Sequence, residues 1–172
     1  MYYNKVKHIT FRLIEIKDAE FILSLRLNPK KNKFLSPVKN NIKNQERWIE
    51  AYKEREKEKQ EYYYIIMNEG EQLGVVRLYD FQRDSFSWGS WLLKEGAPAY
   101  GAIESALLVY EIGFFKLRFK SSHFDVIKHN EKVIKFHIKF GASVVHKDNE
   151  KYYFNIDKNT YSEIKVKYRK FF

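Results

Sequence analysis

Cysteine is absent from this chain of 172 residues. Neither a disulfide nor a Cys-type zinc site can therefore form, which fits a reducing compartment, and a cytoplasmic location is the expectation. No run reaches the ~18 apolar residues of a membrane span, and residues 1–7 hold no apolar signal core, so no membrane partner is expected. No group of His, Asp or Glu has metal-ligand spacing, so no metal is expected either. Internal repeats and linker-like stretches are missing too, and residues 1–172 read as a single domain. What is present is a hydrophobic content of 44% with 17% aromatics, the composition of a globular chain that buries a core.

Lysine and arginine number 32 against 22 acidic residues, a net charge of +10. Such an excess suits nucleic acid. The lysines are dispersed, however, and acids interleave with them, as in Lys53-Glu54-Arg55-Glu56-Lys57-Glu58-Lys59, which reads as a solvated helix end. Abundant lysine, asparagine, isoleucine, tyrosine and phenylalanine together are the bias of an AT-rich genome. Nucleic acid is set aside as a partner, while a polyphosphate ligand would draw on the same charge.

Ile9, Phe11 and Leu13 alternate with polar residues, the period of a strand over 8–16. Asp18 then reads as the cap of a short helix with Phe21, Ile22 and Leu25 inward, ended by Arg26-Leu27-Asn28-Pro29. A lysine- and asparagine-rich loop follows, long enough for a flexible flap. A second helix from Asn44 carries Trp48, Ile49 and Tyr52 on one face. Residues 61–80 read as a hairpin about Gly70, and residues 85–93 as a third strand of an antiparallel meander. Residues 100–115 are apolar nearly all round, a central helix. A strand over 122–127, a helix from Asn130 closed by Gly141, a hairpin about residues 147–150 and a basic helix over 159–172 complete the chain. His8 and His146 read as surface residues. The order describes an α+β fold with one mixed sheet.

One stretch organises the rest. Trp88-Gly89-Ser90-Trp91-Leu92-Leu93 is a strand that stops at Gly96-Ala97-Pro98-Ala99 and opens into the central helix at Tyr100-Gly101-Ala102. The first amides of such a helix lack partners, and its dipole places about half a positive charge there, so phosphate settles on it. Lys94 is beside it to add charge.

Four groups carry a resemblance: Ile9-Thr10-Phe11-Arg12 with Asp18-Ala19; Arg26-Leu27-Asn28-Pro29; the turn from Gly96 to Glu104; and Asn130 through Gly141, an Asn, then His137 seven residues on, then glycine. With the element order, they make the chain resemble the GNAT superfamily of acyl-CoA N-acyltransferases, in the branch of ribosomal-protein N-terminal and amino-sugar acetyltransferases. The resemblance implies a mostly antiparallel sheet of about seven strands flanked by helices. It also implies acetyl-CoA between the fourth and fifth strands, held by Leu92, Leu93, Lys94, Ala99, Tyr100, Gly101, Ala102, Asn130, Val133 and Phe136. The family's phosphate turn, Arg/Gln-x-x-Gly-x-Gly/Ala, is here Gly96-Ala97-Pro98-Ala99-Tyr100-Gly101 and keeps only its last position.

His137 occupies the place where many relatives carry a tyrosine that protonates the leaving thiolate. An unperturbed imidazole suits that task, and the competing reading is a core histidine on an apolar face. Glu104 and Asp125, with His123 beside it, are candidates for a base that deprotonates the amine; Glu104 suits equally a cap of its own helix and Asp125 a lysine pair. The family reads its acceptor with the first two helices and their loop, here Arg26, Asn28, Trp48 and Tyr52, joined by Trp88 and Trp91. Aromatic faces with a guanidinium suit a nucleotide-linked amino sugar, although tryptophans also simply fill cores. The expectation is a bacterial acetyltransferase acting on a nucleotide sugar for surface-glycan synthesis. The alternatives are an N-terminal protein acetyltransferase and a non-catalytic acyl-CoA-binding module, and a homodimer is left open.

Overall fold

The computed structural model describes residues 5–172; of the stretch 1–7, read as lacking a signal core, residues 1–4 lie outside the described residues. Seven strands form one sheet in the order β1-β2-β3-β4-β5-β7-β6. They are β1 (Ile9–Leu13), β2 (Tyr62–Asn68), β3 (Glu71–Tyr79), β4 (Ser85–Leu93), β5 (Ser121–Ile127), β6 (Ser143–Lys147) and β7 (Lys151–Asp157). Every neighbouring pair is antiparallel except β4 with β5. The helices are α1 (Ala19–Leu27), α2 (Ile42–Lys57), α3 (Tyr100–Tyr110), α4 (Glu131–Lys139) and α5 (Lys158–Lys167).

Strand alternation sends successive side chains to two cores. Tyr63, Ile65 and Val75 meet Ile22, Leu25, Ile49 and Tyr52 of α1 and α2 on one face. Tyr64, Ile66, Val76, Leu78, Phe86 and Trp88 meet the buried length of α3, with α4 and α5, on the other. The central helix is thus where its all-round apolarity placed it.

Three local expectations are corrected. α2 begins at Ile42 rather than Asn44, capped by Asn41, whose side chain accepts the Asn44 amide. Asp18 stands at the N-cap of α1, but its side chain makes no cap hydrogen bond there. Its carboxylate accepts both Arg12 guanidinium nitrogens (2.7 Å each), Gln72 (2.8 Å) and the Glu15 amide (2.8 Å), tying β1 to β3 instead. The central helix also changes pitch: Glu111–Lys116 is a π segment, in which the Leu117 amide donates to the Ile112 carbonyl five residues back. Gly113 stands there because a Cβ would lie 2.1 Å from the Phe86 ring.

Candidate active site

β4 and β5 begin side by side and then part. Only Ser85 with Ser121 and Phe86 with Ser122 are paired. Beyond them β4 stays with β3 as far as Leu93, and β5 with β7 as far as Ile127. A bulge re-aims β4 in mid-course, where Ser90 adopts φ +46° and the register against β3 shifts between Val75 and Arg77. Strands that diverge leave a gap through the sheet. It is a cleft of about 1150 Å³, lined by β4 and β5, the end of α1 and its following loop, α4 and the first turn of α3.

Alternation gives the cleft two unlike walls. Toward α3 and α4 the lining is apolar and aromatic: Trp88, Trp91, Ala102, Phe124, Val133 and Phe136. The Trp91 indole N–H donates to Ser105 Oγ (3.1 Å), which fixes its ring. His137 is caged here, its ring centroid 4.3 Å from Phe124 and 5.2 Å from Trp88. Its Nδ1 is buried and has no hydrogen-bond partner among the described residues. Burial drives its pKa down to about 3. At neutrality the ring is therefore uncharged.

Toward α1 and α2 the lining is polar. Arg26, the loop from Lys30 to Ser36, Tyr79, Gly89 and Asp125 with its partner Lys151 (2.8 Å) form it. The loop is fastened, not loose: Arg26 Nη2 donates to the Ser36 carbonyl (3.0 Å), and Asn32 donates back to the Arg26 carbonyl (3.0 Å). Lysines from the loop and α4, with Arg26 and Lys151, put eight cations on the cleft against one carboxylate, Asp125.

The acetyltransferase (GNAT) domain model matches residues 8–143, most of the chain. The chain belongs to the GNAT acetyltransferase family. It is an acetyl-CoA-dependent N-acetyltransferase. A solved structure described as apo FdhC, a nucleotide-linked sugar GNAT, is 46% identical over 99% of both chains, with a TM-score of 0.90. Spermidine N-acetyltransferase from Vibrio cholerae, solved with CoA and spermine, shares the fold at a TM-score of 0.77 but only 16% identity, over 90% of this chain and 98% of that one. No curated protein sequence is similar enough to match.

In this GNAT enzyme the cleft brings together many of the residues expected at the site: Arg26, Trp88, Trp91, Leu92, Leu93, Ala102, Asp125, Asn130, Val133, Phe136 and His137. Others lie elsewhere. Glu104 is fully buried and accepts from the His8 and Ile9 amides (2.7 and 3.0 Å) and pairs with His8 Nδ1 (2.6 Å). It caps the start of β1, neither its own helix nor the cleft, and His8 is a structural partner, not a bare surface residue. Trp48 and Tyr52 pack with Tyr63 on the α2 face of the sheet, and the Tyr52 hydroxyl accepts from the Tyr63 amide (2.7 Å). An apolar helix face identifies what is covered but not what covers it. Asn28 turns its side chain to the Lys30 amide (3.0 Å).

At the start of α3, Tyr100 stacks on His8 and donates to Asn68 (3.2 Å), and Ala99 is the N-cap. Gly101 is small because Leu73 and Leu93 press on it, a Cβ there falling 3.1 Å from Leu73. Lys94 faces Glu71 (3.6 Å). Lys132, Lys135 and Lys139 of α4, which sequence periodicity had put on a solvated face, line the cleft instead. Tyr79 and the loop lysines are residues that the sequence reading passed over; the only signal was the density of lysine between Pro29 and Lys39.

Proposed function

We propose that this enzyme transfers an acetyl group from acetyl-CoA to the primary amine of a sugar carried on a nucleotide diphosphate, a reaction of bacterial surface-glycan synthesis. The observation that carries the reading is the charge of the cleft, eight cations against one carboxylate. Two polyphosphate ligands suit that field, whereas a polyamine, itself a polycation, meets repulsion in it. The 46% identity to a nucleotide-linked sugar GNAT supports the same reading.

The apolar wall and the first turn of α3 receive the CoA thioester, with the helix dipole and the α4 lysines toward its phosphates. The amine enters from the polar wall. Its nitrogen bonds to the acyl carbon, the C–S bond breaks, the amine loses one proton and the departing thiolate takes one from water. Asp125, the one carboxylate on the cleft, takes the amine proton; an amine near pKa ~8 is already partly neutral, so modest help suffices. His137 serves as a neutral hydrogen-bonding ring beside the thioester, not as an imidazolium acid, because burial keeps it uncharged.

Thiol release from acetyl-CoA, measured with a panel of amines, tests this. Turnover with a nucleotide-linked amino sugar, with spermidine at least tenfold poorer in kcat/KM, is expected. Faster turnover of spermidine or of a peptide α-amine would replace the acceptor, and stabilisation by CoA without any turnover would make the protein a binding module.

A further inference from the structure

The polar wall has its own polarity along its length. At its mouth Lys30 is occupied by Glu95 (2.7 Å), but Lys31 and Lys33 have no carboxylate partner among the described residues, and Lys33 lies 5.4 Å from the Phe34 ring centroid. They sit on a loop that Arg26 and Asn32 tie back to the end of α1. Unneutralised cations on a tethered loop along a cleft attract a divalent anion.

At its inner end stands Tyr79. The Arg77 guanidinium lies 5.0 Å from its ring centroid, and Arg77 is itself held by the buried Glu61, which also takes Arg55. The ring is therefore backed on one side. Its hydroxyl reaches over Gly89, where a Cβ would come within 3.2 Å, beside the bulge at Ser90. That hydroxyl has no hydrogen-bond partner among the described residues and lines the cleft. A rigid aromatic ring with a free hydroxyl is the usual means of holding an amphipathic ring such as a hexose.

Resting on the sugar-nucleotide reading, we infer that the acceptor lies lengthwise on this wall, its diphosphate on Lys31 and Lys33 and its sugar ring against Tyr79. The amine is then delivered to the bulge, close to Asp125, and specificity for a nucleotide-linked over a free amino sugar comes from two loop lysines.

The test compares wild type with Lys31→Glu/Lys33→Glu, Tyr79→Leu and Tyr79→Phe in initial rates, each checked for folding by its melting curve. Acceptors are a nucleotide-linked amino sugar and the same amino sugar without the nucleotide. Equilibrium binding of a nucleoside diphosphate is measured alongside. The lysine pair variant should raise KM for the linked sugar 10–100-fold, leave the free sugar and acetyl-CoA within twofold, and weaken the nucleoside diphosphate to a similar degree. Tyr79→Leu should raise KM for both sugars five- to tenfold and Tyr79→Phe about threefold, again sparing acetyl-CoA. An unchanged ratio of linked to free sugar in the lysine variant, or a loss confined to acetyl-CoA, overturns the diphosphate site; unchanged KM in both Tyr79 variants overturns the sugar contact. A wild type that turns over neither sugar overturns the parent reading, while loss of nucleoside diphosphate binding in the lysine variant would still uphold the anion site.

Discussion

The two edges of β4 could hardly differ more. Against β3 it is paired almost from end to end, interrupted only by the bulge at Ser90. Against β5 it is paired at two residues and then stands free, and the cleft begins where the pairing ends. One strand thus anchors the sheet with one edge and forms the site with the other. The difference teaches that the open edge depends on how firmly its apex is pinned, and the apex is pinned from outside the sheet by Phe86 lodged against Gly113 of the π segment.

The sharpest way to break the comparison is therefore at that apex. Gly113→Ala forces a methyl into the Phe86 ring and should cost about 3 kcal/mol, overpacking of this kind typically costing ~1–3. Urea unfolding would register the loss, together with lower activity because the two strands no longer diverge from a fixed point; an unchanged midpoint would show that the π segment yields freely.

Asp125→Asn acts on the open edge alone. A loss of about 10²-fold in turnover is expected near neutrality, about 2.7 kcal/mol in the barrier, with little change in melting temperature because Asp125 is 41% exposed and pairs, among the described residues, with the half-buried Lys151. Raising the pH should recover part of the loss, since more of the amine is then already neutral. If turnover stays within twofold at every pH, the carboxylate takes no proton.

A last test, silent at neutral pH, sharpens the picture of the apolar wall. The folded pKa of His137 lies below its unfolded value of ~6.5, so the unfolded state binds more protons and stability rises with pH between about 3 and 6.5 and is flat above. Per pH unit this one group contributes up to ~1.4 kcal/mol to the slope. His137→Gln should flatten urea-derived stability between pH 4 and 6.5, and the wild-type pH–rate profile should show no limb assignable to an imidazolium. Equal slopes in both proteins would mean that the ring charges freely in place.

Much of the fold was legible because the element order rests on local patterns: period-2 strands, the apolar helix at Tyr100, the stop at Gly141, whose φ of +93° bears out its place as the end of α4. What escaped depends on contacts distant in sequence. Gly113 in the π segment is required by Phe86, 27 residues before it, and Glu104 serves a strand 95 residues away. At the site the apolar wall could be read from Trp88 through Phe136, since buried aromatics announce themselves. The charged wall could not, because a lysine facing a cleft and a lysine facing bulk water look alike along the chain; Lys132, Lys135 and Lys139 are the instance. Trp48 failed in the opposite sense, an aromatic credited to the acceptor that packs with Tyr52 and Tyr63 behind the sheet.

The distribution of the three tryptophans has a use of its own. Trp88 and Trp91 are on the cleft, within 5.3 Å of each other, while Trp48 sits on the opposite face of the sheet between the guanidinium groups of Arg55 and Arg77. The molecule therefore carries a natural optical reporter with its own reference: adenine- or thioester-bearing ligands entering the apolar wall will quench two indoles and leave the third unaltered. Binding can be followed by intrinsic emission without label or turnover, and a Trp48→Phe variant would lower the background without touching the signal.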